Sequence, residues 1–136
     1  MRGRRRPRSI AAQRGAAAVE FAIILPLMLL VIAGIVDFGR ASFTQIQLTN
    51  AAREGARAAI VSGVPSADVT ARASAAAVGV PGFTANLAAS CPGSNATVTA
   101  AAPFDWVMLG PAMNLVGGGG ALPTKLESQA VMKCSG

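Results

Sequence analysis

Residues 16–36 read AAAVEFAIILPLMLLVIAGIV, a run of 21 in which Glu20 carries the single charge. Wound as an α-helix, the run is about 31 Å long, the thickness of a bilayer's hydrocarbon core. A membrane span is therefore the first expectation, and it leaves a chain of 136 residues room for one small domain at most. An arginine-rich start would also suit a cleaved secretory signal. The apolar run is longer than a usual signal core, however, and no A-x-A-like site follows Val36. The arginines also lack twin-arginine spacing. The reading is a retained span.

Charge sets its orientation. Arg2, Arg4, Arg5, Arg6, Arg8 and Arg14 are six of the twelve basic residues, and no acid lies among them. From Gly15 onward six basic residues balance six acidic ones, so the whole +6 belongs to the tail. Beyond the span Asp37, Arg40, Arg53, Glu54 and Arg57 nearly cancel. By the positive-inside rule, residues 1–15 form a cytoplasmic leader and the rest of the chain emerges on the other side. No aromatic interleaves the leader's arginines and the body is neutral, so nucleic acid is not an expected partner. A composition 52% hydrophobic and 13% charged excludes general disorder.

Composition also narrows the chemistry. Histidine and tyrosine are absent and cysteine occurs twice. Beyond Glu54 the acids are Asp68, Asp105 and Glu127, and nothing in their spacing brings two together. No catalytic set, metal site, cofactor or small-molecule substrate is expected. The glycines at 117–120 are followed by no Gly-Lys-Ser/Thr, so they read as a flexible linker rather than a phosphate loop.

The helix is expected to continue past the membrane. Residues 37–62 lack proline and are rich in Ala, Gln, Leu, Arg and Glu. Phe38, Ala41, Leu48, Ala52, Gly55 and Ala59 fall on one stripe, with the pairs Asp37/Arg40 and Glu54/Arg57 on the wetter face. Through residue 62 the rod would be roughly 70 Å long, with a kink or loosening at Pro26. Ala51, Gly55 and Ala59 recur every four residues, a spacing that lets a second helix approach closely. An abundance of alanine produces the same spacing without any such purpose.

Residues 63–136 read as a small extracytoplasmic head. Ser66 is the expected N-cap of a helix with Val69, Ala73, Ala76 and Val80 on one face, supported by Asp68/Arg72 and closed by Gly79 and Pro81. Strands are expected at 96–101 and 124–133; in the second, Leu126, Ala130 and Met132 oppose Glu127, Gln129 and Lys133. The fold class is thus α+β: a long N-terminal transmembrane helix, extended outside the membrane, packed on a small antiparallel head with one short helix. Residues 104–116, FDWVMLGPAMNLV, are too short to span a bilayer. Contact with the membrane surface through Trp106 and cover for the head's core both stay open. Cys91 and Cys134 would form a disulfide in an extracytoplasmic compartment, with Cys134 on the face of Met132 and Ala130. Two free buried thiols stay open beside it.

Glu20 requires a reason, because a carboxylate in lipid costs on the order of 2–3 kcal/mol near the bilayer centre and less near its edge. A side chain that reaches the headgroups is one answer. The other lies in the sequence around it. Cleavage after Gly15 would begin a new chain at Ala16, with Glu20 as its fifth residue and a freed α-amino group protonated at neutral pH. In a low dielectric two such groups on neighbouring subunits would neutralise each other.

A basic leader, Gly15, four small or apolar residues, Glu20 and a long apolar helix resemble a type IV pilin-class prepilin. More narrowly, RGAAAVEFAIILPLMLLVIAGIVDFGRA with QLTNAAREGARAA resembles the TadE-like pseudopilins of tight-adherence (Tad) pilus systems. The resemblance runs from residue 14 to residue 59, with weaker echoes in NATVTAAAPF and LESQAVMK. It implies a non-enzymatic protein of the bacterial inner membrane, single-pass, with other Tad pilus subunits or pseudopilins as partners. A prepilin peptidase is the implied processing enzyme, acting between Gly15 and Ala16. Two positions depart from the pilin pattern: Ala16 replaces a large apolar residue, and Phe21 stands where Flp-type pilins often carry tyrosine. An uncleaved single-pass adaptor of another envelope or secretion complex is the alternative.

Overall fold

A computed structural model describes residues 10–61, 63–115, 117–118 and 120–134, with 10–14 described in backbone only. Arg2, Arg4, Arg5, Arg6 and Arg8 of the leader, the expected helix boundary at Ser62, Val116 and Gly119 lie outside the described residues. Helix α1 (Ile10–Ala59) is 50 residues long, about 75 Å at 1.5 Å per residue. It runs unbroken through Pro26. Loss of one backbone hydrogen bond and a clash with the preceding turn do not end the helix there.

Past Ala59 the chain turns through Gly63, whose φ of +81° lies in the left-handed region open to glycine. Helix α2 (Ser66–Ala76) then runs back along α1. Its early residue Val69 packs with Ala56 and Ala59, whereas Ala77 and Val80 just beyond its end pack with Leu48, Ala51 and Ala52. The N-cap is Pro65 and not Ser66, and no side chain caps the helix. Pro65 is already extended, and its carbonyl accepts from the Asp68 and Val69 amides at 3.0 and 3.3 Å. That leaves Ser66 as the first helical residue.

Three antiparallel strands follow, β1 (Thr84–Ala89), β2 (Asn95–Pro103) and β3 (Lys125–Lys133), in the spatial order β1-β2-β3. The β2–β3 register is continuous from Asn95 opposite Lys133 to Pro103 opposite Lys125, while β1 slips once between Leu87 and Ala89. Sequence patterning finds two of these strands and misses β1. TANLAA has one large apolar side chain and no β-branched alternation, so its ladder to β2 holds it extended. A second short helix, α3 (Leu109–Leu115), fills the connection between β2 and β3.

Alanine dominates the core. Along α1 the covered residues are Ala41, Leu48, Ala51, Ala52, Gly55, Ala56 and Ala59, facing Val69, Ala73, Ala96, Val98, Ala100 and Ala102. Small side chains on both surfaces bring helix and sheet close together. A Cβ added at Gly55 would lie 3.0 Å from Val98 Cγ1 and 3.2 Å from Ala73 Cβ. Phe38, expected on this stripe, is 59% exposed; the covered residue at that end is Asp37. Two expected surface ion pairs, Glu54/Arg57 and Asp68/Arg72, do not form; Asp37–Arg40 and Lys125–Glu127 do. Exposed pairs gain too little to hold two long side chains in one geometry.

Cys91, in the β1–β2 connection, is bonded to Cys134 at the end of β3, with Cα atoms 5.8 Å apart. The bridge closes the head at the end where the Cys134 amide also donates to Ser94 O at 3.3 Å.

Candidate assembly and membrane site

Between Gly15 and Val36 every residue of α1 is exposed except Ala33 and Gly34, which are partly covered. Ile23 is 72% and Ile35 68% exposed. Each large apolar side chain left in water forgoes roughly 1.5–3 kcal/mol, so this shaft belongs in lipid or among other helices. The helix is long and apolar enough to cross a membrane. Glu20 points outward from the shaft and makes no hydrogen bond or ion pair with any described residue. Gly15 lies inside α1, with nothing within 4 Å of where its Cβ would be. Gly15, Ala16 and Glu20 therefore stand together on the free end of the shaft, in contact with no other element. Ala51, Gly55 and Ala59 sit elsewhere, under the head's own α2 and β2, where a neighbouring subunit's helix cannot reach them.

The membrane-proximal end of the head is built around Asp37. Its carboxylate has no exposed surface. Oδ2 accepts from the Met108 amide at 2.9 Å and the Leu109 amide at 2.7 Å, and Oδ1 accepts from Arg40 Nη1 at 3.2 Å. These amides open α3, so a side chain from α1 caps a helix 71 residues further on. The other end of α3 closes on glycine. Gly117, at φ +79°, donates to Asn114 O, and Gly118 donates to Met113 O at 2.8 Å. That pair of bonds forms a Schellman cap. At least two residues of the expected linker are therefore structural.

Aromatic contacts surround the carboxylate. Trp106 meets Phe38 edge-on at 5.5 Å and Phe104 at 5.0 Å between ring centroids, and its Nε1–H donates to Pro123 O at 2.7 Å. Arg40 donates to Asp105 O at 3.3 Å, and its guanidinium stands 5.3 Å from the Phe104 ring centroid. Burial pushes the Asp37 carboxyl up, but the Leu109 and Met108 amides and Arg40 outweigh it and hold its pKa below the ordinary aspartate value.

Because the folded pKa is depressed, the stabilisation is complete above the ordinary aspartate range and is lost as pH falls through the lowered value. The charged groups near Asp37 are Arg40 on α1 and Asp105, whose carbonyl Arg40 also holds. Trp106 emission is expected to shift to the red in this acid window, while the far-ultraviolet signal of α1 persists. Asp37→Asn should remove the step; a step that survives in that variant would assign it to Asp105 or another acid.

Two open grooves flank α1. One, of about 660 Å³, is lined by Phe38, Gln45, Ile46, Thr49, Trp106 and Leu126; the other, of about 540 Å³, by Arg40, Phe43, Val80, Phe104 and Asp105 among others. Gln45 Nε2 donates to Glu127 O at 2.9 Å beside the first, and Thr49 and Ser128 hydroxyls meet at 3.1 Å, so Gln45 and Thr49 fasten β3 to α1. Among the described residues no three of His, Cys, Asp and Glu stand close enough to hold a metal ion.

Sequence reasoning places Asp37 and Arg40 on the wetter face and so misses this cluster. The available signal was positional: Asp37 is the first charge after the span, and helix-forming residues 109–115 carry no capping side chain of their own at residue 108.

An exposed apolar helix carrying a small disulfide-closed α+β head defines a class of single-helix, membrane-anchored proteins. Residues 15–57 match the family model described as TadE-like protein, so along this shaft the chain is similar to that family. The match spans α1 nearly to its end and leaves the head outside it. Comparison with curated proteins and with solved structures gives no match.

Proposed function

We propose that the chain is a non-enzymatic, TadE-like pseudopilin or assembly component of a Tad-type pilus or secretion machine. It sits in the bacterial inner membrane with residues 1–15 in the cytoplasm and the head outside. It works by association of its shaft with the helices of other Tad subunits or pseudopilins. The observation that carries the reading is the shaft: an exposed apolar helix, matched by the family model, whose one carboxylate has no partner among the described residues. Glu20 is the mating group. Its partner is a positive charge on a neighbour, best supplied by the α-amino group that prepilin-type cleavage between Gly15 and Ala16 would free. Charge pairing in lipid is strong because water does not screen it.

The reading is tested with Glu20→Ala expressed in cells that carry the rest of the Tad system. The variant should still insert, since it removes the only charge of the span. Co-purification of other Tad subunits should fall about tenfold or more, equivalent to ~1.4 kcal/mol. Unchanged recovery would remove Glu20 from the mechanism. In the same preparation the intact mass of the native chain reads the N-terminus, with Ala16 expected first.

One observation favours the uncleaved adaptor as a second reading. Helix α1 begins at Ile10, so the bond between Gly15 and Ala16 lies within helical backbone, a poor conformation for a peptidase to grip. A chain starting at Met1 whose recovery of partners ignores Glu20 would favour it.

A further inference from the structure

We propose that residues 106–115, built around α3, form an amphipathic foot that rests its exposed apolar side chains in the outer leaflet of the membrane α1 crosses. The proposal rests on the reading of residues 16–36 as the span, and its position along α1 is its first support. Contacts between head and helix descend in order: Gln45 meets Glu127, Arg40 meets Asp105, Phe38 meets Trp106, and Asp37 holds Met108 and Leu109. At the lowest step Leu109 Cδ1 lies 3.6 Å from where a Cβ of Gly34 would be. Gly34 is inside the apolar run, about 4–5 Å along the axis below Asp37. The partial cover on Ala33 and Gly34, alone within residues 15–36, lies at this same level.

The span has no length to spare. A hydrocarbon core of about 30 Å takes some 20 helical residues, so lipid that begins near Ala16 reaches the level of Gly34 and Val36. Whatever is packed against Gly34 is then at the lipid boundary.

The foot's composition fits that place. Between Asp105 and Lys125 no residue is charged. Val107 is 61%, Met108 49% and Leu115 90% exposed, half of the six large apolar side chains exposed beyond α1 among the described residues. Trp106, the one tryptophan, stands at the upper edge, where indole favours the interface. Backbone polar groups are the usual obstacle to placing a short helix near lipid. Here the Met108 and Leu109 amides are taken by Asp37, and the Met113 and Asn114 carbonyls by Gly118 and Gly117. Asp37 is thus a positioning residue that fixes the foot to the span, its own charge neutralised by the groups it holds.

The single tryptophan makes a label-free test. The full chain is reconstituted in phosphatidylcholine–phosphatidylglycerol vesicles whose acyl chains are brominated either near the headgroup or near the bilayer centre. Native Trp106 should lose more emission to the shallow bromines than to the deep ones. Trp106→Phe with Leu115→Trp moves the reporter to the most exposed position of the foot and should be quenched more strongly still. Trp106→Phe with Ile24→Trp reports the span itself and should respond most to the deep bromines. If the Ile24 reporter is quenched while Trp106 and the Leu115 reporter are not, the span holds and the foot is overturned; a protein partner would then be the occupant of that face. If the Ile24 reporter is also silent, the span reading falls and the foot with it.

Discussion

Replacing Cys91 and Cys134 together by serine is expected to take about 4 kcal/mol from the stability of the head. The estimate is the chain entropy of a loop closed across 43 residues. Its weight comes from what the rest of the core lacks. Among the described residues the largest fully buried side chains are Leu48, Val69, Val98 and Asp37, and most other core positions are alanine. An alanine buries little apolar surface, so the sum of transfer terms is small for a unit of this size. For a domain near this length the loss corresponds to a drop of roughly 15–30 °C in Tm. The measurement is thermal unfolding of the detergent-solubilised chain, followed by the near-ultraviolet signal so that the membrane helix does not mask the head. A drop of only a few degrees would show that the alanine packing suffices without the bridge.

Gly55→Leu is expected to be the most damaging single substitution along α1. The Cβ alone would press Val98 Cγ1 and Ala73 Cβ, and three further carbons have no space between helix and sheet. Overpacking of this kind costs about 1–3 kcal/mol, occasionally more, against a gain of about 1 kcal/mol for replacing glycine within a helix. Gly55→Ala should sit near neutrality, because neighbours need give only a few tenths of an ångström while the helix gains. The same pair of variants separates two uses of the Ala51, Gly55, Ala59 spacing. A loss of stability in the isolated chain means that the small residues receive the head; an unchanged monomer with weakened assembly would overturn their placement under α2 and β2.

What could be read from the sequence follows the strength of each physical signal. The apolar shaft is visible because nothing else in a short chain needs 21 such residues together. Strand β3 is visible because Leu126, Ala130 and Met132 alternate with charged and amide side chains, and the structure half-buries the first set and exposes the second. Strand β1 is invisible because its conformation is imposed by β2 and not by TANLAA itself. The clearest miss is Asp37. A charge three residues before an arginine on a helix has an ordinary surface explanation, and only the arrival of α3 from another part of the chain gives the carboxylate a buried use. Gly117 and Gly118 read as a linker for a related reason: composition alone does not distinguish a linker from a helix cap. Ser66 shows the same limit at the scale of one residue, where Pro65 already supplied the turn. At the free end, Gly15 and Glu20 are singled out by spacing alone, and no other described element meets either.

Because one uninterrupted helix serves as both membrane shaft and backbone of the head, the head has no hinge of its own to swing on. Ala59 lies 22 residues beyond Asp37, a lever arm of about 33 Å. A lean of about 20°, ordinary for membrane helices, would carry that tip some 11 Å sideways. Neighbours that grip the shaft inside the bilayer would thereby aim the surface presented outside it.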